Sequence, residues 1–582
     1  MLKEFKPLFP YLRRYKKQYI FGFICLIVVD LAQMLIPQCI RIVVDLISSG
    51  DFTLRSVIYV CLAMIGLALA VSSGRFLWRY FIHGSSRRIE KELRDNLFDH
   101  LMTLSYDFYQ KNKIGDLMAR GTNDLNAIRQ SIGMGLVALI DGTVMALAIL
   151  VIMFVSDAKT AALSIIPLPF ITILILLFGK ALGRKFRKVQ ESYSSMSDIV
   201  QETFAGIRVV KSFVKEWWFI KKFSDTNDDY QTANMSLVKI FGIMFPLVSF
   251  LSGLTTLILL LVGGGRVIEG NMSAGELTAL LSYLQMLIWP MLGAGFMVNM
   301  IQRGAVSMTR VNDILTTQPS ILSAEKTLEP KSKTQNAIEI KNLSFKYNDD
   351  CEVLENINLE IASGSMIGIL GRTGSGKSTL LKTLVRLVDP PDDTVYIKGI
   401  DVKLWDLKTL RQHFGMTPQD TYLFSGSVKN NIGYGVDDAP QELLEKAAHL
   451  SAIDKDLKSF NSGWETLIGE RGLTLSGGQK QRVAISRALA REPEILVLDD
   501  ALSAVDAETE KKILGRLLKE RKGKTTILVS HRVSTLRHAD TIVVLEKGCI
   551  AECGSPAELL KTGGFYAQMA QFQKLEQAEE ES

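Results

Sequence analysis

Residues 366–379 read Met366-Ile367-Gly368-Ile369-Leu370-Gly371-Arg372-Thr373-Gly374-Ser375-Gly376-Lys377-Ser378-Thr379. An apolar strand runs straight into the pattern G-x-x-x-x-G-K-[ST], and Leu380, Leu381 and Leu384 mark an apolar helix after it. The glycines allow backbone N–H groups and the helix N-terminus to converge on one point, a cradle for phosphate groups. Lys377 can reach the β- and γ-phosphates, and Ser378 can ligate Mg²⁺. The strand before and the helix after exclude a chance glycine-rich turn, so the segment predicts a nucleoside triphosphate site in an α/β domain.

Downstream, Ile495-Leu496-Val497-Leu498 forms a second apolar strand ending in Asp499, and a carboxylate at a strand tip can hold Mg²⁺. Between the two strands, Leu475-Ser476-Gly477-Gly478-Gln479 opens a helix predicted from Lys480 to Leu489. Its hydroxyl and glycine N–H groups make a second phosphate-binding surface. Upstream, Ile338-Glu339-Ile340 alternates as a strand does, and residues 326–337, with Pro330, Lys331, Ser332 and Lys333, form a polar linker.

Further upstream the character of the chain changes. Of the 582 residues 47% are hydrophobic, yet 22% are charged, and the mean hydropathy is +0.18. That combination averages an oily part with a water-soluble one, and it excludes disorder, collagen and a disulfide scaffold. Residues 56–74, 160–179, 240–265 and 277–302 carry no charge, while 18–40 and 130–156 are each broken by one carboxylate, Asp30 and Asp141. About 20 apolar residues cross the hydrocarbon core, so six spans are predicted, near 18–40, 56–82, 130–156, 160–179, 240–265 and 277–302. The first has a basic flank but is too long for a cleaved leader, and Pro37-Gln38-Cys39 offers no small-residue cleavage site. It reads as a retained helix.

Basic residues concentrate before the first span (Arg13, Arg14, Lys16, Lys17), in 84–129 and at the start of 180–239. The positive-inside rule therefore places both ends in the cytoplasm. These two connections are helix-forming and poor in Gly and Pro; as helical hairpins, arms of about 23 residues reach on the order of 35 Å below the membrane. The six cysteines form no CxxC pair and read as reduced. A net charge of +6 without a basic cluster predicts no nucleic-acid partner.

Taken together, these motifs resemble the ATP-binding domain of an ABC transporter over 338–575, and six spans with two long hairpins fused upstream resemble an exporter-type half-transporter. The expected division is a membrane domain at 1–325, the linker, the ABC domain at 338–575 and an acidic tail at 576–582. The resemblance implies ATP and Mg²⁺ as cofactors, with Tyr347 stacked on adenine, residues Gly371 to Thr379 on the phosphates, and Gln419 sensing the γ-phosphate and Mg²⁺. His531 would contact the γ-phosphate, Ser503 to Asp506 would cross to the partner, and Glu470-Arg471-Gly472 would touch the hairpins. In this family each ATP lies between one chain's phosphate loop and the other chain's LSGGQ, so Leu475 to Gln479 would serve a second half-transporter. The segments 115–118 and 202–206 resemble the hairpin tips that dock on the ATPase domains.

One position departs from the family. Where a general-base Glu is usual after Asp499, this chain has Asp500. Its carboxylate sits one C–C bond, about 1.5 Å, short, and misplacement on the order of 1 Å costs about a hundredfold in rate. The resemblance is therefore to the degenerate-site subunit of bacterial heterodimeric multidrug exporters: a multi-pass protein of the cytoplasmic membrane, in contact with lipid, that moves hydrophobic or amphipathic compounds outward. Asp30, Asp141, Met286, Met291 and Phe296 are the expected substrate path, because intramembrane carboxylates usually face a cavity or partner and methionines suit adaptable apolar surfaces. Lipid or peptide export, a homodimeric pump and an ATP-gated channel or regulatory subunit are the alternatives.

Overall fold

A computed structural model describes residues 3–50, 53–324, 327–328, 335–348, 351–469 and 475–580. The chain divides into two compact units, one comprising Met1–Thr103 with Asn112–Thr317, the other Leu104–Lys111 with Gln318–Ser582. This division falls a few residues before the expected boundary at 325. Glu470-Arg471-Gly472 and most of the linker lie outside the described residues.

The first unit is helical. Its helices are α1 (Lys16–Ser48), α2 (Leu54–Trp78), α3 (Gly84–Thr103), α5 (Ile114–Ala119), α6 (Leu125–Gln130), α7 (Leu136–Ser156), α8 (Ala158–Ile165), α9 (Leu168–Ala205), α10 (Ile207–Ser212), α11 (Glu216–Ile268) and α12 (Ala274–Thr316); α4 (Tyr106–Lys111) belongs to the second unit. Among the described residues five helices are long and apolar enough to cross a membrane, and α12 begins with a shorter apolar stretch, Ala274–Ile288, at the place of the sixth span. A hydrocarbon core leaves no water to satisfy peptide groups, so helices are the form these runs take. The fourth span is interrupted between α8 and α9 at Ile166-Pro167, where Pro167 precedes the new helix. Pro246 and Pro290 lie inside continuous helices. At 53 residues α11 is about 80 Å long, well beyond the bilayer thickness, as expected of a helical arm.

Polar locks hold the apolar bundle at both ends. At one end Arg41 of α1 pairs with Glu276 of α12 at 2.7 Å, and Asp45 accepts hydrogen bonds from Gly275 N at 2.8 Å and Ser273 Oγ at 3.0 Å. At the other, Asp116 takes Arg120 at 2.8 Å and Arg310 at 2.5 Å. Within the expected first tip, 115–118, Asp116 and Leu117 are engaged inside the helical unit while Gly115 and Met118 are exposed. It is α4, a few residues earlier, that belongs to the ATPase unit: Ser105 Oγ accepts from Ile321 N at 2.9 Å, and the Lys382 ammonium lies 5.3 Å from the Tyr106 ring centre.

The second unit is built on β1 (Asn336–Asn348), β2 (Cys351–Ala362), β3 (Met366–Gly371), β4 (Val395–Ile397), β5 (Ile400–Asp401), β6 (Phe414–Thr417), β7 (Ile495–Asp499), β8 (Thr525–Val529), β9 (Thr541–Glu546) and β10 (Cys549–Gly554). Six strands form one sheet in the order β10-β9-β3-β8-β7-β6, parallel except for the β9/β10 pair. A second, antiparallel sheet runs β2-β1-β4-β5. Strands β3, β7 and β8 are buried throughout, because both faces are covered and alternate residues enter different cores. Ile367, Ile369 and Val497 pack with the antiparallel sheet and α13 (Lys377–Leu384), while Leu370, Leu496 and Leu498 pack with α14 (Gly477–Ala490) and α15 (Ala507–Glu520).

Gly275 sits so close to α1 that an added Cβ would overlap the Arg41 carbonyl oxygen. Gly275→Ala should therefore cost about 1–3 kcal/mol by overpacking, read as a lower thermal-aggregation midpoint in detergent, with Ala274→Gly as the control for helix propensity.

Candidate functional site: a phosphate cradle with two carboxylates

The loop leaving β3 turns tightly because two of its glycines have no room for a side chain. At Gly371 a Cβ would overlap the Leu545 carbonyl; at Gly376, where φ is +97°, it would stand 2.7 Å from Leu354 Cδ2 and 2.8 Å from the Val353 carbonyl. Lys377 folds back over the loop, its Nζ donating to the carbonyls of Gly371 at 2.8 Å and Arg372 at 2.9 Å. Ser378 Oγ donates to Asp499 Oδ2 at 2.8 Å, joining the loop to the tip of β7. One cavity is lined by Thr373 to Thr379, Gln419, Asp499, Asp500 and His531, together with Val353 and Val529. Expected residues from 373–379, Gln419, Asp499, Asp500 and His531 therefore converge, although they come from four separate stretches of chain.

Among the described residues no ion pair joins the charges in this cavity. Burial holds the Lys377 ammonium below the ordinary lysine range, against the pull of Asp499 and Asp500. Burial also pushes the Asp499 carboxyl up, with Asp500 adding to the shift and the Ser378 hydrogen bond opposing it. Ser375 is buried and its hydroxyl has no hydrogen-bond partner. Among the described residues no ion pair joins Lys377 to Asp499 or Asp500, and with the orphaned Ser375 hydroxyl these groups fit an incoming polyphosphate and a divalent metal, which Ser378, Asp499 and Gln419 would hold.

Two expected residues face elsewhere. The Arg372 guanidinium lies 5.4 Å from the Phe565 ring centre, and only its backbone serves the cradle. Tyr347 shares a hydrogen bond with Thr379 Oγ1 at 3.3 Å and meets Phe345 edge-on, so its ring stands beside the cradle. Leu475 is buried, but Ser476 and Gly477 are exposed and none of Leu475 to Gln479 lines the cavity. Ser476 caps α14 in a reciprocal pair with Gln479, at 3.3 Å and 3.0 Å. Asp506 caps α15 through Thr509 N at 2.9 Å.

Sequence reading missed the supports. Gln481 donates to Ser503 Oγ at 2.9 Å and accepts from Ala504 N at 2.8 Å. Arg532 pairs with Glu510 at 2.6 Å and donates to the Val505 and Ser503 carbonyls. Gln573, on α16 (Phe565–Glu580), donates to the His531 carbonyl at 2.8 Å and accepts from Val533 N at 2.8 Å. The only signal for the first two was their place beside LSGGQ and His531; Gln573 had none.

The membrane-unit residues separate. Asp30 is fully buried with no hydrogen-bond partner for its carboxylate oxygens, whereas Asp141 is partly exposed. Met286 packs on the apolar core, Met291 Sδ accepts from Thr172 Oγ1 at 3.3 Å, and Phe296 is 76% exposed.

Each charge-assisted hydrogen bond contributes about 1.5–3 kcal/mol, so Lys377→Met should weaken ATP binding about 10–100-fold in equilibrium titration. The raised Asp499 carboxyl predicts a pH effect. Its protonated form is the one the fold favours, so the nucleotide-free domain loses this contribution as pH rises from the ordinary carboxylate range through the raised value. Asp499→Asn should remove that decline, so its thermal midpoint overtakes that of the wild type at the upper end of the series.

The family model for an ABC transporter transmembrane region matches residues 19–291, and the family model described as ABC transporter matches residues 354–503. The "Probable multidrug resistance ABC transporter ATP-binding/permease protein YheI" of Bacillus subtilis is 37% identical over 100% of this chain and 99% of its own length. The "Multidrug resistance-like ATP-binding protein MdlA" of Escherichia coli is 34% identical over 99% and 98%. A solved structure of a bacterial Atm1-family ABC exporter with ATP bound superposes with a TM-score of 0.75 at 26% identity, covering 97% of this chain and 98% of that one. With the fused helical unit and the phosphate cradle, these matches establish that the chain belongs to the ABC transporters, as an ATP-hydrolysing exporter half-transporter that crosses the membrane several times.

Proposed function

We propose that this chain is the weakly catalytic half of a heterodimeric multidrug exporter in a bacterial cytoplasmic membrane, both termini and the ATPase unit facing the cytoplasm. The observation that carries this reading is the backbone at Asp500. Its φ is +50°, its N–H donates to the Val529 carbonyl at 3.0 Å, and its carbonyl accepts from Ser503 Oγ at 2.9 Å. Held from both sides, the backbone has no freedom to advance and make up the missing methylene. The general base is short, and the short side chain stays short.

Exposure of Ser476 and Gly477 away from the chain's own cavity supports a second half-transporter that receives them. So does the second hairpin tip, where Phe204, Val209, Phe213 and Trp217 around α10 are all more than 60% exposed. The names of the YheI and MdlA relatives support drug-like, hydrophobic or amphipathic cargo, with Asp30, Asp141, Met286, Met291 and Phe296 along its path. In this reading Lys377 and the loop N–H groups bind the phosphates, and Ser378, Asp499 and Gln419 hold Mg²⁺, which supplies positive charge to the phosphate oxygens. His531, set by Gln573, orients the γ-phosphate. Tyr347 lies beside the base, and Asp506 with Leu475 to Gln479 faces the partner's nucleotide.

The test is ATP turnover by the purified chain alone and with a candidate second half carrying Glu at the matching position. The lone chain should turn over slowly, the pair briskly, and Asp500→Glu should raise the lone chain about a hundredfold. Brisk turnover by the lone chain that Asp500→Glu leaves unimproved would sink the weak-site reading.

A further inference from the structure

His531 lines the phosphate cavity, but among the described residues no hydrogen bond holds its imidazole. The aim of the ring therefore depends on its backbone. Among the described residues that backbone has one hydrogen bond, which the His531 carbonyl accepts from Gln573 Nε2 at 2.8 Å. The other end of the same amide, Gln573 Oε1, accepts from Val533 N at 2.8 Å. A carbonyl can only accept and an N–H can only donate, so a side-chain amide satisfies both at once. The two bonds close around Arg532, whose own N–H is turned to Ser530 Oγ at 3.0 Å. His531 is thus held between the end of β8, where Ser530 N donates to the Ile369 carbonyl at 3.3 Å, and the short helix Val533–Leu536.

Gln573 reaches this segment because α16 is fixed along its length. Glu552 of β10 accepts from Phe565 N and Tyr566 N at the helix start, where peptide N–H groups have no partner within the helix. Tyr566 and Ala570 are buried, and Gln573 follows at the spacing that keeps it on their face. The Phe565 ring lies against Arg372 of the phosphate loop. One helix therefore touches the loop at its first turn and the His531 segment about 12 Å further on. The two contacts bear on different parts of a nucleotide. The loop serves phosphates that ATP and ADP share, whereas His531 serves the one that only ATP has.

We infer that Gln573 is a positioning residue that sets the preference of this site for ATP over ADP, by holding the His531 carbonyl and with it the imidazole. This role rests on the proposed contact of His531 with the γ-phosphate, and it places the discrimination between the two nucleotides on the last helix, far along the chain from the phosphate loop. Release of the Gln573 amide removes the γ-phosphate contact and leaves the hold on ADP as it was.

The experiment measures equilibrium binding of ADP and of the β,γ-imido analogue of ATP, each with Mg²⁺, to the purified full-length chain in nanodiscs. The analogue keeps the γ-phosphate and is not hydrolysed. Gln573→Met keeps the length and helix preference of the side chain and removes both hydrogen bonds. It should weaken the analogue about five- to tenfold and leave ADP within about twofold. Gln573→Glu keeps the acceptor but sets a carboxylate against the His531 carbonyl, and should lower the preference at least as far. His531→Ala should lower it by a similar factor. Adding Gln573→Met to His531→Ala should cost nothing more, because residues that act through one contact are not additive. Gln571→Met, at an exposed position of the same helix, should bind both nucleotides as the wild type does. Equal weakening of both nucleotides by Gln573→Met, an unchanged preference beside one that His531→Ala lowers, or losses that add in the double variant would overturn the role of Gln573 and leave the γ-phosphate contact standing. A preference that His531→Ala does not lower overturns that contact itself, and the role of Gln573 with it.

Discussion

The hydrogen bond from Ser378 Oγ to Asp499 Oδ2, 2.8 Å long, is the contact on which the ATPase unit turns. It joins elements that leave two strands which are not neighbours, since β8 lies between β3 and β7. Strands two places apart are separated by about 10 Å, so the bond forms only because the glycine loop swings the first turn of α13 across the sheet edge. That swing requires Gly371 against the Leu545 carbonyl and Gly376 in the left-handed region. With these in place, the hydroxyl, the buried carboxyl and the Lys377 ammonium share one cavity, each lacking the charged group it suits.

Around that cavity the loops are tied to one another rather than left independent. Gln481 holds Ser503 and Ala504 to the helix that begins at LSGGQ, Arg532 holds Val505 and Ser503 to the segment after His531, and Gln573 holds both sides of that segment to the last helix. Hydrogen bonds of ordinary length thus connect the helix that Ser476 opens with the segments carrying Asp500 and His531. The same ties explain why Asp500 matters. Its carbonyl accepts from Ser503 Oγ, and the carboxylate cannot be repositioned without disturbing the loop that Gln481 and Arg532 grip.

In the helical unit the division of labour is different. Apolar length makes the helices, but the pairing among them is set by a few polar contacts at the ends, Arg41 and Asp45 with the start of α12, Asp116 with Arg310. Between these locks lies the buried Asp30, whose carboxylate oxygens find no hydrogen-bond partner among the described residues.

Much was legible in residue order. Uncharged length predicts the spans because the membrane core penalises every charge and unpaired peptide group, and the phosphate loop is legible because its glycines, lysine and serine are contiguous. Asp499 at the end of an apolar strand and Ser476 opening α14 were legible for the same local reason. The pairing of Asp116 was not legible, because nothing in its neighbourhood announces Arg310, 194 residues away. Tertiary structure alone decided that α4 joins the ATPase unit, that Gln573 sets His531, that Arg372 turns to Phe565, and that Arg310 pairs with Asp116. Each of these is a contact between distant stretches, settled by which elements pack together, whereas what the sequence determined by itself rests on the chemistry of neighbours along the chain.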